Sequence, residues 1–514
     1  MTMPEEDSIR IGEGNLTDYV YLSPVDQYQQ HFRRWLLLIV LLFLALFVTA
    51  ALYYFMSDRT RYYSDILEHF KYGSIGSEPG GTIFTQVGGV LPPYLVFKTL
   101  PALCPDKLPG GYASLGLVFE PGHELPIGVS RRWRLGVEQV GLNCAVCHTG
   151  TVRQSADSKP QIVLGMPAHQ FDLERFFRFV ADASLDDRVT AESVIAKAEE
   201  MGDRVSIVQR LILRFFLMQR LKLVTVSLQN RIGPLLNGPL PDWGRGRVDT
   251  FNPYKAVQFN WNLKLLPHDE LIGASDFPSL WNQKPREGMH LHWDGNNTSV
   301  DERNLSASLG AGVTPVTADH ASLQRVHDWI WTLPPPKYPF AIDQSRTARG
   351  KDIFAQQCAE CHSFDGRKTG TVEDIASINT DPYRLNSYTY ALTGNQSELY
   401  PDSPYRFTHF VKTNGYANQP LDGIWARAPY LHNGSVPTLL DLLSDPADRP
   451  KQFVRGYDVY NQQKVGFVYD TPQARQEGFW YDTTTPGNGN GGHLFGTKLP
   501  LDQKLDLIEF MKTL

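Results

Sequence analysis

The longest uncharged stretch of the chain runs from Trp35 to Met56, WLLLIVLLFLALFVTAALYYFM. At about 1.5 Å per helical residue it spans a bilayer core of roughly 30 Å. Arg33 and Arg34 abut its start, and Trp35, Tyr53 and Tyr54 stand where interfacial aromatics belong. A cleaved signal peptide is the alternative. The run is long for a signal core and a 34-residue segment precedes it, so an uncleaved anchor is expected. Residues 1–34 are then a polar cytoplasmic tail and residues 35–56 a single transmembrane helix. Beyond it, residues 58–140 are broken by Gly/Pro turns. Residues 170–235 read as helical. Val205–Val226 alternates apolar positions with Arg210, Arg214, Arg220 and Lys222, an amphipathic helix expected to pack on the remaining protein rather than on a membrane. Pro334–Pro339 is a stiff extended spacer and the expected domain boundary. After it, Ser345–Gln357 is expected to be helical with Ile353 and Phe354 inward. A terminal helix should pack through Leu501, Leu505, Ile508, Met511 and Lys512. The expected fold is mainly α.

At 514 residues the chain has room for two or three domains. Hydrophobic content of 42% and charged content of 20% describe an ordinary globular protein. A net charge of −6 over this length gives no reason to expect a nucleic-acid partner. The five cysteines are more telling. Four fall into two copies of one pattern: Cys-Ala-Val-Cys-His at 144–148 and Cys-Ala-Glu-Cys-His at 358–362. Cys-x-x-Cys-His is the attachment site of a c-type haem. Each thiol adds to a vinyl group, and the adjacent His ligates the iron. Cys144, Cys147, Cys358 and Cys361 are thus expected to hold two haems, with His148 and His362 as iron ligands. Cys104 is left alone, without a disulfide partner. Structural zinc fits less well, because zinc gathers four ligands in one cluster. A thioredoxin-type dithiol is disfavoured by the His after each pair. Because c-type haems are attached outside the cytoplasm, residues 58–514 are expected in the periplasm of a bacterial inner-membrane protein.

Two further stretches carry a resemblance. One is Asp276-Phe-Pro-Ser-Leu-Trp281-Asn, followed by His290-Leu-His292-Trp293-Asp294-Gly295. The other is Gly423-Ile-Trp-Ala-Arg-Ala-Pro-Tyr-Leu-His432-Asn-Gly-Ser-Val-Pro-Thr-Leu439. In order and placement these resemble the bacterial dihaem cytochrome c peroxidase superfamily, which includes the MauG-type enzymes and the dihaem rubber oxygenases. The resemblance covers roughly residues 135–150 and 270–514; residues 150–270 look like a helical insertion. It implies two class I cytochrome c-like haem domains, residues 58–339 and 340–514. It implies that Trp281 lies between the haems and carries electrons, although a packing Trp reads the same. Asp301 and Glu302 stand where the family holds a distal carboxylate able to shuttle protons; a helix start capped by Thr298 or Ser299 is the plainer reading. His290 and His292 are open candidates for a distal ligand of the first haem.

Family peroxidases place a Met ligand on the second haem. Here that neighbourhood is Leu443-Ser-Asp-Pro446, and Met511 is the only methionine after Met289. His432 is the first candidate for the sixth ligand, as in the rubber oxygenases, and His409 the second; His432 as a core residue remains open. The glycine-rich loop from Gly487 to His493 is expected to approach a haem edge with its backbone, and it lacks the context of a nucleotide site. His69, His123, His320 and His327 read as structural. Three functions follow. The first is a redox enzyme acting on peroxide or dioxygen, fed by a small soluble cytochrome or another redox partner. The second is a non-catalytic electron-transfer cytochrome between a membrane donor and a soluble acceptor. The third is an assembly subunit.

Overall fold

In the computed structural model residues 24–81, 86–87, 89, 91–134 and 136–514 are described. Most of the expected cytoplasmic tail, residues 1–23, lies outside them. Helix α1 (Pro24–Met56) carries the apolar stretch. Its segment Gln27–Tyr54 is long and apolar enough to cross a membrane, and its side chains face outward along its length.

Residues Ser57–Leu514 form a second unit. Strand β1 (Arg59–Thr60) begins it and pairs antiparallel with β2 (Val129–Arg134), which pairs with β3 (Val137–Leu142). Asp58 fastens this entry point by accepting from Arg132 Nε at 2.6 Å and Arg134 Nε at 2.9 Å. Strand β3 runs into Asn143, whose side chain accepts from Ala145 N–H and caps a single turn, Cys144–Val146. The first Cys-x-x-Cys-His is therefore a tight turn issuing from a sheet edge.

The region around residues 150–270 is helical as expected, with some strand. Helix α2 (Leu173–Ser184) packs on a longer helix, α3, which runs through Ile207–Ile212, a π-helical stretch Leu213–Leu217 and Met218–Leu236. Helix α4 (Val300–Gly310) starts at Ser299, whose hydroxyl accepts from Glu302 N–H. Helix α5 (Gln344–Gln357), capped by Asp343, leads into Cys358. It crosses the terminal helix α6 (Leu501–Met511) at Gly350, where any Cβ would sit 1.9 Å from the Asp506 carbonyl. Asp506 ties the crossing by accepting from Arg346 at 3.0 Å and Arg349 at 2.7 Å. The inward face of α6 is Leu507, Ile508 and Met511, whereas Leu501 is exposed.

Helices predominate, but the described residues also form one three-stranded and six two-stranded sheets, more strand than the sequence suggested. These are short antiparallel pairs that pin loops. Of the Pro334–Pro339 run, Pro334, Lys337 and Pro339 are exposed, while Tyr338 is buried and the Pro336 carbonyl accepts from Trp425 Nε1 at 2.8 Å. The largest cluster around the second motif draws Val152, Met166 and Trp281 together with Trp425, Tyr460 and Leu507. Residues from both sides of the proline run thus share one core.

Candidate functional site

Each Cys-x-x-Cys-His histidine is oriented by a backbone carbonyl. His148 Nδ1 lies 2.7 Å from Pro278 O, and His362 Nδ1 lies 2.7 Å from Gln419 O. An imidazole that donates Nδ1–H to a carbonyl presents Nε2 as a lone pair, the arrangement a metal-ligating histidine requires. Burial is the main influence on both rings, holding His148 down to about 4 and lowering His362 from its usual value. Both are therefore neutral at physiological pH. Both also keep part of their surface free of protein contact. Each ring is thus deeply placed yet not fully covered by protein.

The two orienting carbonyls belong to one connected structure centred on Trp281. On the first side, Gly165 N–H donates to His148 O and Leu280 N–H donates to Gly165 O, each at 2.9 Å. Pro278 itself lies three residues before Trp281. On the second side, Trp281 Nε1 donates to Asp422 O at 2.9 Å. Leu421 N–H donates to His362 O at 3.2 Å, and Gln419 is two residues further back. The indole, 1% exposed, stands between the supports of the two imidazoles. Gly423, at φ +64°, lets it close up: a Cβ there would meet Trp281 Cζ2 at 2.8 Å. Arg427 lies 5.6 Å over the ring, and Arg427 and Arg286 both pair with Asp422. Burial alone would raise the Asp422 carboxyl, but the two guanidiniums outweigh it and hold it below the usual range.

A second imidazole faces His362. The rings of His362 and His493 lie 6.2 Å apart, centre to centre. Two metal–imidazole bonds of about 2.0 Å each, plus half a ring at either end, come to about 6 Å. The gap fits one metal ion ligated by both. Burial, with His362 adding to it, pushes His493 down to about 3, and its buried Nδ1 has no protein partner. His493 sits at φ +49°, a left-handed conformation uncommon for a side chain of its size. The loop before it is clamped: Arg449 donates to the carbonyls of Asn490 and Gly492, Asn433 to those of Gly487 and Gly489, and Ser435 to Gly489 O. The sequence reading placed this loop near a haem and passed over its last residue. The available signal was a lone histidine closing a glycine run.

The expected sixth ligand, His432, is committed elsewhere. It is buried, its Nε2 lies 3.0 Å from Tyr416 Oη, and the two rings stack at 4.1 Å. His409 is also engaged, with Nδ1 2.7 Å from Glu302 Oε1. That contact defines Glu302: it accepts from Thr408 N–H, His409 N–H and Asn297 Nδ2, holding the 408–409 segment to α4. Asp301 is largely exposed beside His327 at 3.1 Å. The α4 side chain whose charge reaches His148 is instead that of Arg303, which also lowers His292. Burial brings Arg303 down to about 10. His290 and His292 each direct Nδ1 to a near neighbour, Gly295 O at 2.6 Å and Asn296 Oδ1 at 2.5 Å. Among the described residues no second ring faces His148 as His493 faces His362.

The donor chemistry fits haem better than zinc. Among the described residues one trio of side chains able to ligate a metal lies close together, Glu68, Glu120 and His123, and it includes no cysteine. Lys71 already pairs with both of its carboxylates. Two thiols and an adjacent neutral imidazole are what a thioether-linked porphyrin needs.

One comparison with known proteins bears on the cofactor. A family model described as RoxA-like, cytochrome c-like, matches residues 415–454. That stretch contains Gln419, Asp422 and Gly423 and the residues Asn433, Ser435 and Arg449 that clamp the His493 loop. The chain is 32% identical over 284 residues to a Sinorhizobium fredii protein described as uncharacterized protein y4iM, covering 46% of this chain and 64% of that one. The match thus spans less than two thirds of that relative's length. It is 26% identical over 515 residues to uncharacterized protein y4iJ of the same organism, covering 79% and 82%. Among solved structures, xenon-pressurized hydrazine synthase of Kuenenia stuttgartiensis shares 16% identity over 47% of this chain and 73% of that chain, with a TM-score of 0.24. The cytochrome c-like match implies covalently bound haem iron and supports a c-type cytochrome family.

Proposed function

We propose that the chain is a membrane-anchored dihaem c-type cytochrome that acts on peroxide or dioxygen, with its haem units in the periplasm of a bacterial inner membrane. Cys144, Cys147 and His148 would hold the first haem. Cys358, Cys361, His362 and His493 would hold the second, with His493 taking the place that sequence reading offered to His432. The haem irons supply the electron transfer and oxygen chemistry when bound. The protein's own residues orient the imidazoles through Pro278 O and Gln419 O, keep them unprotonated by burial, and place an oxidisable indole between their supports. Arg303 brings a positive charge to the first site, where a negatively charged oxygen ligand would be stabilised. Two imidazoles lower a haem potential relative to a His/Met pair, so the second site suits a relay that receives electrons from a small soluble cytochrome.

The observation that carries this reading is the continuous path from His148 through Pro278, Trp281 and Asp422 to Gln419 and His362. Its test is carbon monoxide binding by the reduced, full-length protein, with mass spectrometry counting the haems. One carbon monoxide per two haems, together with peroxide-dependent oxidation of a reduced small cytochrome, is expected. Two ligand-inert low-spin haems and no turnover would overturn the enzyme reading and leave an electron carrier.

A further inference from the structure

Helices α2 and α3 enclose a cleft that neither Cys-x-x-Cys-His turn lines. Its volume is about 970 Å³ counting the open mouth, within the roughly 300–1,000 Å³ of small-molecule sites. Phe177, Val180 and Ala181 wall it from α2, and Val224, Leu228 and Ile232 from α3. Positions three or four apart lie on one side of a helix, so each helix turns one continuous apolar face to the cleft. The third wall is the segment 91–93, held to β3 by a bridge between Pro93 and Gln139.

Two polar side chains interrupt this apolar lining. Ser184 ends α2 and is 1% exposed, and its Oγ is buried without a hydrogen-bond partner among the described residues. Arg220 of α3 also lines the cleft; its Nε is buried and unpartnered, and among the described residues it pairs with no carboxylate. A buried donor left unpaired is costly, a charged one most of all, so an acceptor that meets both is held strongly. The course of the two helices puts these donors at one end. Asp182 Oδ1 accepts from Gln229 Nε2 at 3.3 Å, and Glu174, at the start of α2, accepts from Trp243 N–H beyond the end of α3. The helices are therefore antiparallel. Ser184 lies past Asp182, and Arg220 lies nine residues before Gln229, so both fall on the same side of that contact. Phe177, Ile232 and Leu236 fall on the other side. From Arg220 to Leu236, sixteen residues of helix run about 24 Å. The cleft has a cationic, donor-bearing end and a long apolar end.

We propose that this cleft binds a long-chain carboxylate, with its tail along Val224, Leu228 and Ile232 and its head on Arg220 and Ser184. A guanidinium matches a carboxylate in charge and in planar fork geometry, and the Ser184 hydroxyl supplies a further donor. Every methylene buried along the apolar end adds to binding, which selects long chains over short ones. In the test, full-length holoprotein in a non-ionic detergent is irradiated with palmitate carrying a mid-chain diazirine, and adducts are located by tandem mass spectrometry. Adducts on α1, an exposed apolar helix, measure non-specific uptake of the probe. Adducts within residues 177–184 and 224–236 are expected, displaced by excess oleate and not by oleyl alcohol. Val224→Trp, which fills the cleft, should abolish them. Arg220→Met should reduce them about tenfold or more, with the far-ultraviolet circular dichroism unchanged. Arg231→Met removes an exposed charge from the same helix outside the cleft and should leave them as they are. Adducts confined to α1, adducts that survive Val224→Trp, equal displacement by oleyl alcohol or phosphatidylglycerol, or an equal loss in Arg231→Met would overturn the proposal.

Discussion

Gly423→Ala is the sharpest probe of how firmly the Trp281 indole is held. Gly423 has φ +64°, where an L side chain costs about 1–2 kcal/mol. The added methyl would meet Trp281 Cζ2 at 2.8 Å, Trp281 Cε2 at 2.9 Å and Pro335 Cβ at 2.9 Å. None of these can move cheaply. The indole is tied to Asp422 O and lies beneath Arg427, and Pro335 adjoins the Pro336 carbonyl that accepts from Trp425. Overpacking of this kind costs about 1–3 kcal/mol. Together the two give a loss of about 2–5 kcal/mol. Gly310→Ala is the control. Gly310 ends α4 with nothing within 4 Å of a built Cβ, so the same change there should stabilise by about 0.4–1 kcal/mol. Urea unfolding followed by far-ultraviolet circular dichroism reads both variants. If two haems are bound as proposed, stopped-flow reduction of the Gly423→Ala protein should also show slower electron exchange between them. A Gly423→Ala protein within 0.5 kcal/mol of the parent, or less perturbed than Gly310→Ala, would refute the claim that the indole is rigidly wedged.

Asp422→Asn leaves Arg286 and Arg427 without their shared counter-charge in a buried place, and should cost about 3–5 kcal/mol by urea unfolding; a cost under 1 kcal/mol would show the pair to be solvated. His432→Ala removes the hydrogen bond to Tyr416 and leaves a cavity, for about 2–4 kcal/mol, while the low-spin haem spectrum stays as it was. Loss of that spectrum would restore His432 as a ligand. Glu174 is a pH-dependent element: burial lifts its carboxyl to about 7 against roughly 4.3 when unfolded. A raised acid binds its proton more tightly in the folded state, so its contribution is full below about pH 4 and is lost as pH rises through 7, about 4 kcal/mol in all. Glu174→Gln keeps an acceptor for Trp243 N–H and should flatten stability between pH 5 and 8; an unchanged slope would place the titration elsewhere.

What was legible in the sequence was local chemistry with fixed spacing. Cys-x-x-Cys-His is five consecutive residues, and the apolar run of α1 is a simple count against bilayer thickness. Helix α5 before Cys358 was legible from its inward Ile353 and Phe354, although its cap, Asp343, was not. Long-range pairing was not legible. His493 stands 131 positions after His362 in the chain, and only the clamp formed by Arg449, Asn433 and Ser435 brings it there. His432 and Glu302 were plausible by position along the chain, yet each had nearer partners, Tyr416 for one and the 408–409 backbone for the other. Likewise the amphipathic pattern of α3 told which residues share a face. It could not tell that the buried face would leave Phe215 and Leu223 uncovered.

In the proposed reading His362 and His493 would hold one haem iron, and Trp281 would link its support to that of His148. Low-temperature electron paramagnetic resonance of full-length, doubly loaded His493→Ala protein tests it most directly. If His493 is a ligand of the second proposed haem, that haem changes from a low-spin bis-imidazole signal to a high-spin one, with the other unchanged. A spectrum identical to that of the parent would contradict it.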